Sequence, residues 1–225
     1  TSKRLLFVAT NNSGVIAFDR NKKIVKKWDL NDAIYLYEDS KKNVWICTRY
    51  SGLHKIDFNG NHVTYKHNPS NIESLPDNFV RTICEDDFGN YWLGLFKGLA
   101  KFNLDKESFT LIEYEKQATH GISNSSVWTI MKDNQGTIWA GTYNGAINLH
   151  NPKYSIFNFY GAYNTPNSLN GPVIGRIIED SKGNLWIGAD GGGLNYFDRK
   201  KNTYKSYQAT GKGNSLSINY IKTIW

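Results

Sequence analysis

Several residue types that support particular chemistry are scarce in this sequence. Its 225 residues include two cysteines, five prolines and one methionine. Two cysteines are too few for the disulfide framework of a small secreted domain, and no apolar run reaches the roughly 18 residues of a membrane-spanning helix. The histidines show no metal-ligand spacing, so we expect neither a metal nor a cofactor. They stand at His54, His62, His67, His120 and His150.

Charge is unbalanced but not concentrated. The 27 lysines and arginines exceed the 20 aspartates and glutamates, which leaves a net charge of +7 at pH 7. The basic residues are scattered over the whole chain, a pattern typical of a solvated basic surface and not of a nucleic-acid-binding arm. Gly191-Gly192-Gly193 does not precede a helical pattern, and no Gly-x-Ser-x-Gly motif occurs, so we expect neither a phosphate loop nor a hydrolase elbow.

Tryptophan, in contrast, recurs at one fixed interval. Three successive gaps of 47 residues separate Trp45, Trp92, Trp139 and Trp186. A glycine follows each of them after six or seven residues, at Gly52, Gly98, Gly145 and Gly193. A spacing that is constant over most of a chain indicates an internal repeat.

Each period divides into four short segments rich in β-branched, aromatic and aliphatic residues, separated by clusters of Gly, Asn, Asp and Ser. Such segments are typical of short antiparallel strands joined by turns. Four-stranded sheets in tandem predict an all-β fold, a β-propeller of four-stranded blades. A solenoid is the alternative, but its coils hold one or two strands in about 20 to 30 residues.

The repeat also predicts the organisation of the chain. We expect complete blades over 31–70, 71–118, 119–164 and 165–212, a partial blade over 1–30, and the first strand of a further or ring-closing blade over 213–225. Pairing of that strand with the first sheet would remove exposed sheet edges.

Acidic residues repeat as well. Glutamate precedes aspartate at 38–39, 85–86 and 179–180, and paired carboxylates can hydrolyse glycosidic bonds. A catalytic pair is needed once, however, whereas a turn-forming aspartate is needed in every blade. We therefore predict that Asp86, Asp133 and Asp180 form turns. We also predict that Cys47 and Cys84 are free core thiols, although an oxidising compartment would allow them to pair.

Positions at which the repeat is broken are the candidates for function. Two residues before a repeated isoleucine, the sequence places Ile34, Arg81, Trp128, Gly175 and Lys222. Aromatic faces stack on sugar rings, and arginine binds carboxylates or hydroxyls. We therefore predict a ligand site at one mouth of a central channel. Its candidates are Arg81, Trp128, Arg176 and Lys222, together with Arg49, Tyr50, Tyr143 and Asp190 from the loops between second and third strands.

Three stretches resemble the two-component regulator propeller repeat: Ile-Glu-Asp-Ser-Lys-Gly-Asn-Leu-Trp-Ile-Gly at 178–188, Gly-Gly-Gly-Leu-Asn-Tyr-Phe-Asp at 191–198 and the segment 214–224. The resemblance implies a piece of a seven-bladed propeller from the periplasmic sensor domain of a hybrid two-component system. It further implies an oligosaccharide ligand. The parent would supply a companion propeller, a β-sandwich, a transmembrane helix and a histidine kinase, and would form a homodimer.

We compare three functions for this chain. The first is a non-enzymatic extracytoplasmic sensor that recognises an oligosaccharide. Because several candidate site residues are basic, we expect its ligands to include acidic glycans. The second is a protein-interaction propeller that docks a companion propeller or a dimer partner. The third is a propeller glycoside hydrolase or lyase, for which two or three non-repeating inner carboxylates would be needed. Basic and aromatic residues stand at those positions instead.

Overall fold

The structure is a computed structural model that describes residues 5–10, 13–114, 122–144, 147–151, 156–160 and 167–224. Within these ranges the chain forms nineteen β-strands and no helix. The strands group into one three-stranded and four four-stranded sheets, each an antiparallel meander of consecutive strands. The prediction of an all-β chain built from propeller-type sheets is therefore confirmed.

Sheet 1 contains β1 Leu6–Thr10, β2 Gly14–Phe18 and β3 Ile24–Trp28. Sheet 2 contains β4 Ala33–Glu38, β5 Val44–Thr48, β6 Leu53–Ile56 and β7 His62–Tyr65. Sheet 3 contains β8 Val80–Glu85, β9 Tyr91–Leu95, β10 Leu99–Asn103 and β11 Ser108–Ile112. Sheet 4 contains β12 Val127–Lys132, β13 Ile138–Thr142, β14 Ile147–Asn151 and β15 Ile156–Tyr160. Sheet 5 contains β16 Val173–Glu179, β17 Leu185–Asp190, β18 Gly193–Asp198 and β19 Thr203–Tyr207.

Two compact units divide the chain. The first comprises Thr1–Phe96 and Ala100–Leu111, and the second comprises Lys97–Leu99 and Ile112–Trp225. In the first unit, one apolar cluster joins sheets 1 and 2 and another joins sheets 2 and 3. In the second unit, a cluster around Trp139 and Ile177 joins sheets 4 and 5.

Each four-stranded sheet has two distinct ends. The first and second strands meet through a tight turn, as do the third and fourth, and both turns lie at what we call the turn end. The loop between the second and third strands lies at the opposite end, which we call the loop end. In sheet 2, for example, residues 39–43 lie at the turn end and residues 49–52 at the loop end.

The repeated tryptophans lie at equivalent positions on the second strands. Trp45, Trp92 and Trp139 are fully buried, as the 47-residue spacing predicts. Trp45 is covered by rings of the next sheet, since its centroid lies 4.7 Å from that of Tyr91. The prediction of burial is wrong for Trp186, which is half-buried and packs on Tyr196 and Tyr207 of its own sheet.

An aspartate in the first turn of a sheet binds the tryptophan of the second strand. In each of three sheets the indole Nε1 donates to the aspartate Oδ2 across six residues of chain. A buried indole N–H needs such an acceptor, and an ionised acceptor gives a strong bond. The distances are 2.8 Å for Trp45 to Asp39, 3.0 Å for Trp92 to Asp86 and 2.9 Å for Trp139 to Asp133.

The same aspartates close their turns. Asp86 Oδ1 accepts hydrogen bonds from the amides of Phe88 and Asn90, and its carbonyl accepts one from Gly89. Asp133 and Asp180 repeat this arrangement with Gly136 and Gly183. The prediction that Asp86, Asp133 and Asp180 form turns is confirmed.

The glutamates that precede these aspartates connect neighbouring sheets. Glu85 accepts two hydrogen bonds of 2.8 Å from the amide and hydroxyl of Ser40, which follows the aspartate of the previous sheet. Glu179 accepts an equivalent bond of 2.8 Å from the amide of Asn134 and also pairs with Arg199. The repeated Glu-Asp pair therefore has a structural role in both units: the glutamate links sheets and the aspartate closes a turn.

Residues 213–224 form no strand of their own. Their backbone makes one isolated bridge, between Tyr220 and Asp190. Ile221 nevertheless packs against Gly188 as Ile174, 47 residues earlier, packs against Gly141. The segment thus occupies the position of a first strand beside sheet 5, and its part in a further or ring-closing blade stays a prediction.

Both cysteines are buried and free, as predicted. Burial raises the pKa of the Cys47 thiol above its usual range. A buried, neutral thiol behaves as a small apolar side chain. Cys47 packs among Trp45, Leu53 and Val80 in the cluster between sheets 2 and 3.

A histidine pair distinguishes sheet 2. His54 is buried on β6, and its Nδ1 lies 3.0 Å from His62 Nε2 and 3.0 Å from Thr64 Oγ1. Burial, reinforced by the neighbouring His62, lowers the pKa of His54 to about 4. Asparagine occupies the same register position in sheets 4 and 5, as Asn148 and Asn195.

Replacing Asp39 by alanine should lower the free energy of unfolding by about 3 kcal/mol, because the buried Trp45 and Tyr91 donors lose their acceptor. Denaturant unfolding followed by tryptophan fluorescence measures this loss. Asp57 supplies a matched control, since its carboxylate binds Asn61 in the same way in an exposed turn. We expect Asp57→Ala to change stability far less; equal losses would contradict the special role of the tryptophan bond.

His54 should make stability depend on pH. The pKa of His54 is lower in the folded than in the unfolded chain. Its contribution to the free energy of unfolding is therefore complete above about pH 6.5, and it is lost as the pH falls through about 4. We expect His54→Asn to lose less stability than the wild type between pH 7 and pH 4.5, measured by urea unfolding. Identical losses in the two proteins would contradict this assignment.

Candidate functional site

The two predicted sets of site residues lie side by side at the loop end of each sheet. A β-bulge interrupts the first strand at the same place in sheets 2, 3, 4 and 5. The bulged residue has no partner in the ladder, so its side chain can be directed out of the sheet. The bulged residues are Ile34, Arg81, Trp128 and Gly175.

In sheet 3, Arg81 lies against two aromatic rings. Its guanidinium carbon is 4.6 Å from the centroid of Phe79 and 5.3 Å from that of Phe96. The two rings are nearly parallel, with centroids 6.1 Å apart. Burial lowers the pKa of Arg81, but an arginine stays charged at physiological pH. The cluster therefore presents a fixed positive charge that is packed on two aromatic rings. The Phe96 side chain is about half exposed.

In sheet 4 the corresponding positions carry a pair of exposed rings. Trp128 and Tyr143 stack with centroids 5.7 Å apart and an angle of 23° between their planes. Their exposed fractions are 39% and 49%. Large aromatic side chains are usually covered in a soluble domain. A stacked pair that remains open to solvent is suited to bind the flat face of a ligand.

In sheet 2 the loop-end residues are Arg49 and Tyr50. The loop is held by Asp32, whose carboxylate accepts hydrogen bonds from the amides of Tyr50 and Ser51 and from the Ser51 hydroxyl. Burial raises the pKa of Asp32, but these hydrogen bonds outweigh burial, and the net change is a lowering. The tyrosine ring itself is three-quarters exposed. Asp32 thus positions the loop without covering Tyr50.

Sheet 5 departs from this pattern. Its bulged residue is Gly175, against which the backbone of Ile221 and Lys222 packs closely; a Cβ at Gly175 would lie 2.6 Å from the Ile221 carbonyl oxygen. Asp190 is bridged to Tyr220. Of the predicted site residues here, Lys222 is exposed and lies next to the bulge.

Arg176 does not share the position of Arg81 and Trp128. It pairs with Gly188 in the register in which Thr82 pairs with Gly94, and Thr82 is buried. Its Nε is buried and has no hydrogen-bond partner among the described residues. The bulge separates the two neighbouring positions and turns their side chains to different surroundings, and a role of Arg176 in ligand binding stays a prediction.

The candidate residues therefore form separate clusters: Arg81 with Phe79 and Phe96 in the first unit, and Trp128 with Tyr143 in the second. Phe79 is the residue that sequence reasoning missed, although its aromatic character beside Arg81 was a usable signal. Over the ranges that the structure describes, no group of three or more His, Cys, Asp or Glu side chains could hold a metal ion. In the same ranges, no helix is long and apolar enough to cross a membrane.

Solved structures share this fold. The extracellular domain of the hybrid two component system BT4673 from B. thetaiotaomicron aligns over 99% of the chain with 18% identity and a TM-score of 0.78. That of BT3049 from the same organism aligns over 92% with 19% identity and a TM-score of 0.69. The chain spans 28% and 29% of the lengths of these two structures.

No curated protein sequence matches the chain. A family model for the two component regulator propeller matches residues 74–97, 121–144 and 168–191. Each match covers the loop, first strand, turn and second strand of one sheet, and the matches begin 47 residues apart, in phase with the tryptophans. The chain therefore contains three repeats of the two component regulator propeller family, which together span 72 of its 225 residues.

Proposed function

We propose that the chain is part of an extracytoplasmic sensor that recognises an oligosaccharide through the loop ends of its sheets. The observation that carries this proposal is the exposed, stacked pair of Trp128 and Tyr143. Sugar rings present apolar C–H faces that pack on aromatic planes, and their hydroxyls bind nearby polar groups. The relatives of known structure are extracellular domains of sensor proteins, which supports an extracytoplasmic location.

The charge at the loop ends extends the proposal to acidic glycans. Arg81 presents a guanidinium held against two rings, and an arginine can bind a carboxylate or sulfate through two parallel hydrogen bonds. Lys222 adds an exposed ammonium group beside sheet 5. The excess of positive charge, +7 over the whole chain, favours the approach of an anionic ligand.

Catalysis by the repeated carboxylates is disfavoured by their contacts. Asp39 accepts hydrogen bonds from Asn43, Trp45 and Tyr91, and Glu85 accepts from Ser40. These oxygens lie at the turn end of their own sheets, and their hydrogen bonds occupy them with structural donors. We therefore propose a binding role in which the signal passes to a kinase in other parts of the parent protein.

The length of the structural relatives supports a wider assembly. The chain spans less than a third of each aligned structure, so the remaining propeller, β-sandwich and kinase parts are proposed partners within a parent sensor. A homodimer of that parent is part of the same proposal.

Replacing Trp128 by alanine should weaken oligosaccharide binding by about tenfold or more, because a stacking face worth about 1.4 kcal/mol is removed. Isothermal titration of the protein with a panel of neutral and acidic oligosaccharides measures the change. Phe88→Ala is the matched control, since Phe88 is an exposed aromatic residue at the turn end. Binding that is lost in Phe88→Ala but retained in Trp128→Ala would exclude the proposed site.

Arg81 should decide the preference for acidic sugars. We expect Arg81→Gln to weaken binding of a uronic-acid-containing oligosaccharide more than binding of its neutral counterpart, because the charged hydrogen bonds are lost. The wild-type affinity for the acidic sugar should also fall as salt is raised. An affinity for acidic sugars that is independent of both salt and Arg81 would show that charge does not contribute at this loop end.

A further inference from the structure

A second surface lies at the turn end of sheets 1 and 2, within the first unit. A cavity of about 120 Å³ opens there between the two sheets. Its apolar lining includes Phe7, Ala17 and Trp28 from sheet 1 and Val44 and Ile56 from sheet 2. None of these residues belongs to the loop-end clusters, so this cavity is distinct from the proposed oligosaccharide site.

The cavity exists because small side chains replace the rings that fill the same interval one sheet later. Between sheets 2 and 3, the ring centroid of Trp45 lies 4.7 Å from that of Tyr91 and 6.1 Å from that of Phe102, and these rings occupy the corresponding interval. The strand registers show which residues correspond. Phe7 stands for Trp45, Ala17 for Lys55, Val44 for Tyr91 and Ile56 for Phe102.

The rim of the cavity is unusually apolar for a surface. Val25 and Phe58, which line the cavity, are each more than half exposed. Isolated exposed apolar side chains are ordinary, but a contiguous group beside an apolar cavity marks an interaction surface.

Basic residues outnumber acidic ones at the rim. Lys26 and Lys42 line the cavity, Lys42 Nζ lies 3.7 Å from Glu38 Oε1, and the adjoining turns carry further basic residues. The carboxylate of Asp57, which also lines the cavity, is already hydrogen-bonded to the amide and side chain of Asn61. The basic residues in the adjoining turns are Arg20, Lys22, Lys23 and Lys41.

We propose that this cavity docks an acidic protein segment by inserting one of its aromatic or leucine side chains. A cavity of about 150 Å³ binds benzene, so 120 Å³ accommodates a single side chain. Pockets for whole small ligands are larger, at about 300–1,000 Å³. Buried aromatic anchors dominate many protein interfaces, and carboxylates flanking the anchor would match the lysines on the rim.

Fluorescence anisotropy with a labelled pentapeptide tests this proposal. The probe carries one phenylalanine flanked by two glutamates on each side. We expect saturable binding to the wild-type protein that weakens about tenfold or more when alanine replaces the phenylalanine of the peptide. Val44→Tyr with Ile56→Phe fills the cavity with the rings found in sheet 3, and this variant should abolish binding while its thermal unfolding temperature is retained or raised.

Lys26→Glu with Lys42→Glu provides a second test, which reverses the charge at the rim and leaves the apolar side chains of the lining in place. This variant should bind the acidic peptide more weakly and a lysine-flanked peptide more strongly than the wild type does. Trp128→Ala should leave peptide binding unchanged, which separates this surface from the oligosaccharide site. No saturable binding by the wild type, equal binding of the alanine peptide, or full binding by the filled variant would each overturn the proposal.

Discussion

The bond between a turn aspartate and the tryptophan of the next strand is the interaction on which the sheets depend. The indole is too large to be covered by one sheet, and its N–H must be satisfied once it is buried. Asp39 satisfies Trp45 and also accepts from Tyr91 of the next sheet. Asp133 does the same for Trp139 and pairs with Arg199. One carboxylate therefore closes a turn, satisfies a core side chain and connects neighbouring sheets.

This dependence explains why variation is confined to particular places. The turn aspartate and the core tryptophan recur because each sheet needs them, and the linking glutamate recurs in sheets 3 and 5. The bulged residue at the loop end has no partner in the strand pairing, so its side chain can vary without disrupting the sheet. The residues at this position are Ile34, Arg81, Trp128 and Gly175. A repeat built in this way can present a different side chain at the same position of each sheet.

At the turn end, in contrast, the residues that differ between corresponding positions of the sheets include buried core residues. Between sheets 1 and 2 the interlocking rings are replaced by Val44 and Ile56, and the space they leave is lined by apolar atoms. An apolar cavity forfeits packing contacts, which normally lowers stability. Because the cavity lies beside exposed apolar residues and lysines, we attribute this loss of packing stability to docking of a partner.

The periodicity of the sequence by itself determined the all-β class, the number and order of strands per repeat, the tryptophan positions and the turn aspartates, because each follows from local patterns. It located Arg81, Trp128 and Tyr143 as exceptions to the repeat. It wrongly predicted that Trp186 is buried, and it gave no indication of the bulge, the Glu85–Ser40 link or the cavity beside Phe7. These features depend on contacts between residues about 45 positions apart and on the register of paired strands. Such contacts arise when neighbouring sheets pack, so only the tertiary structure decided them.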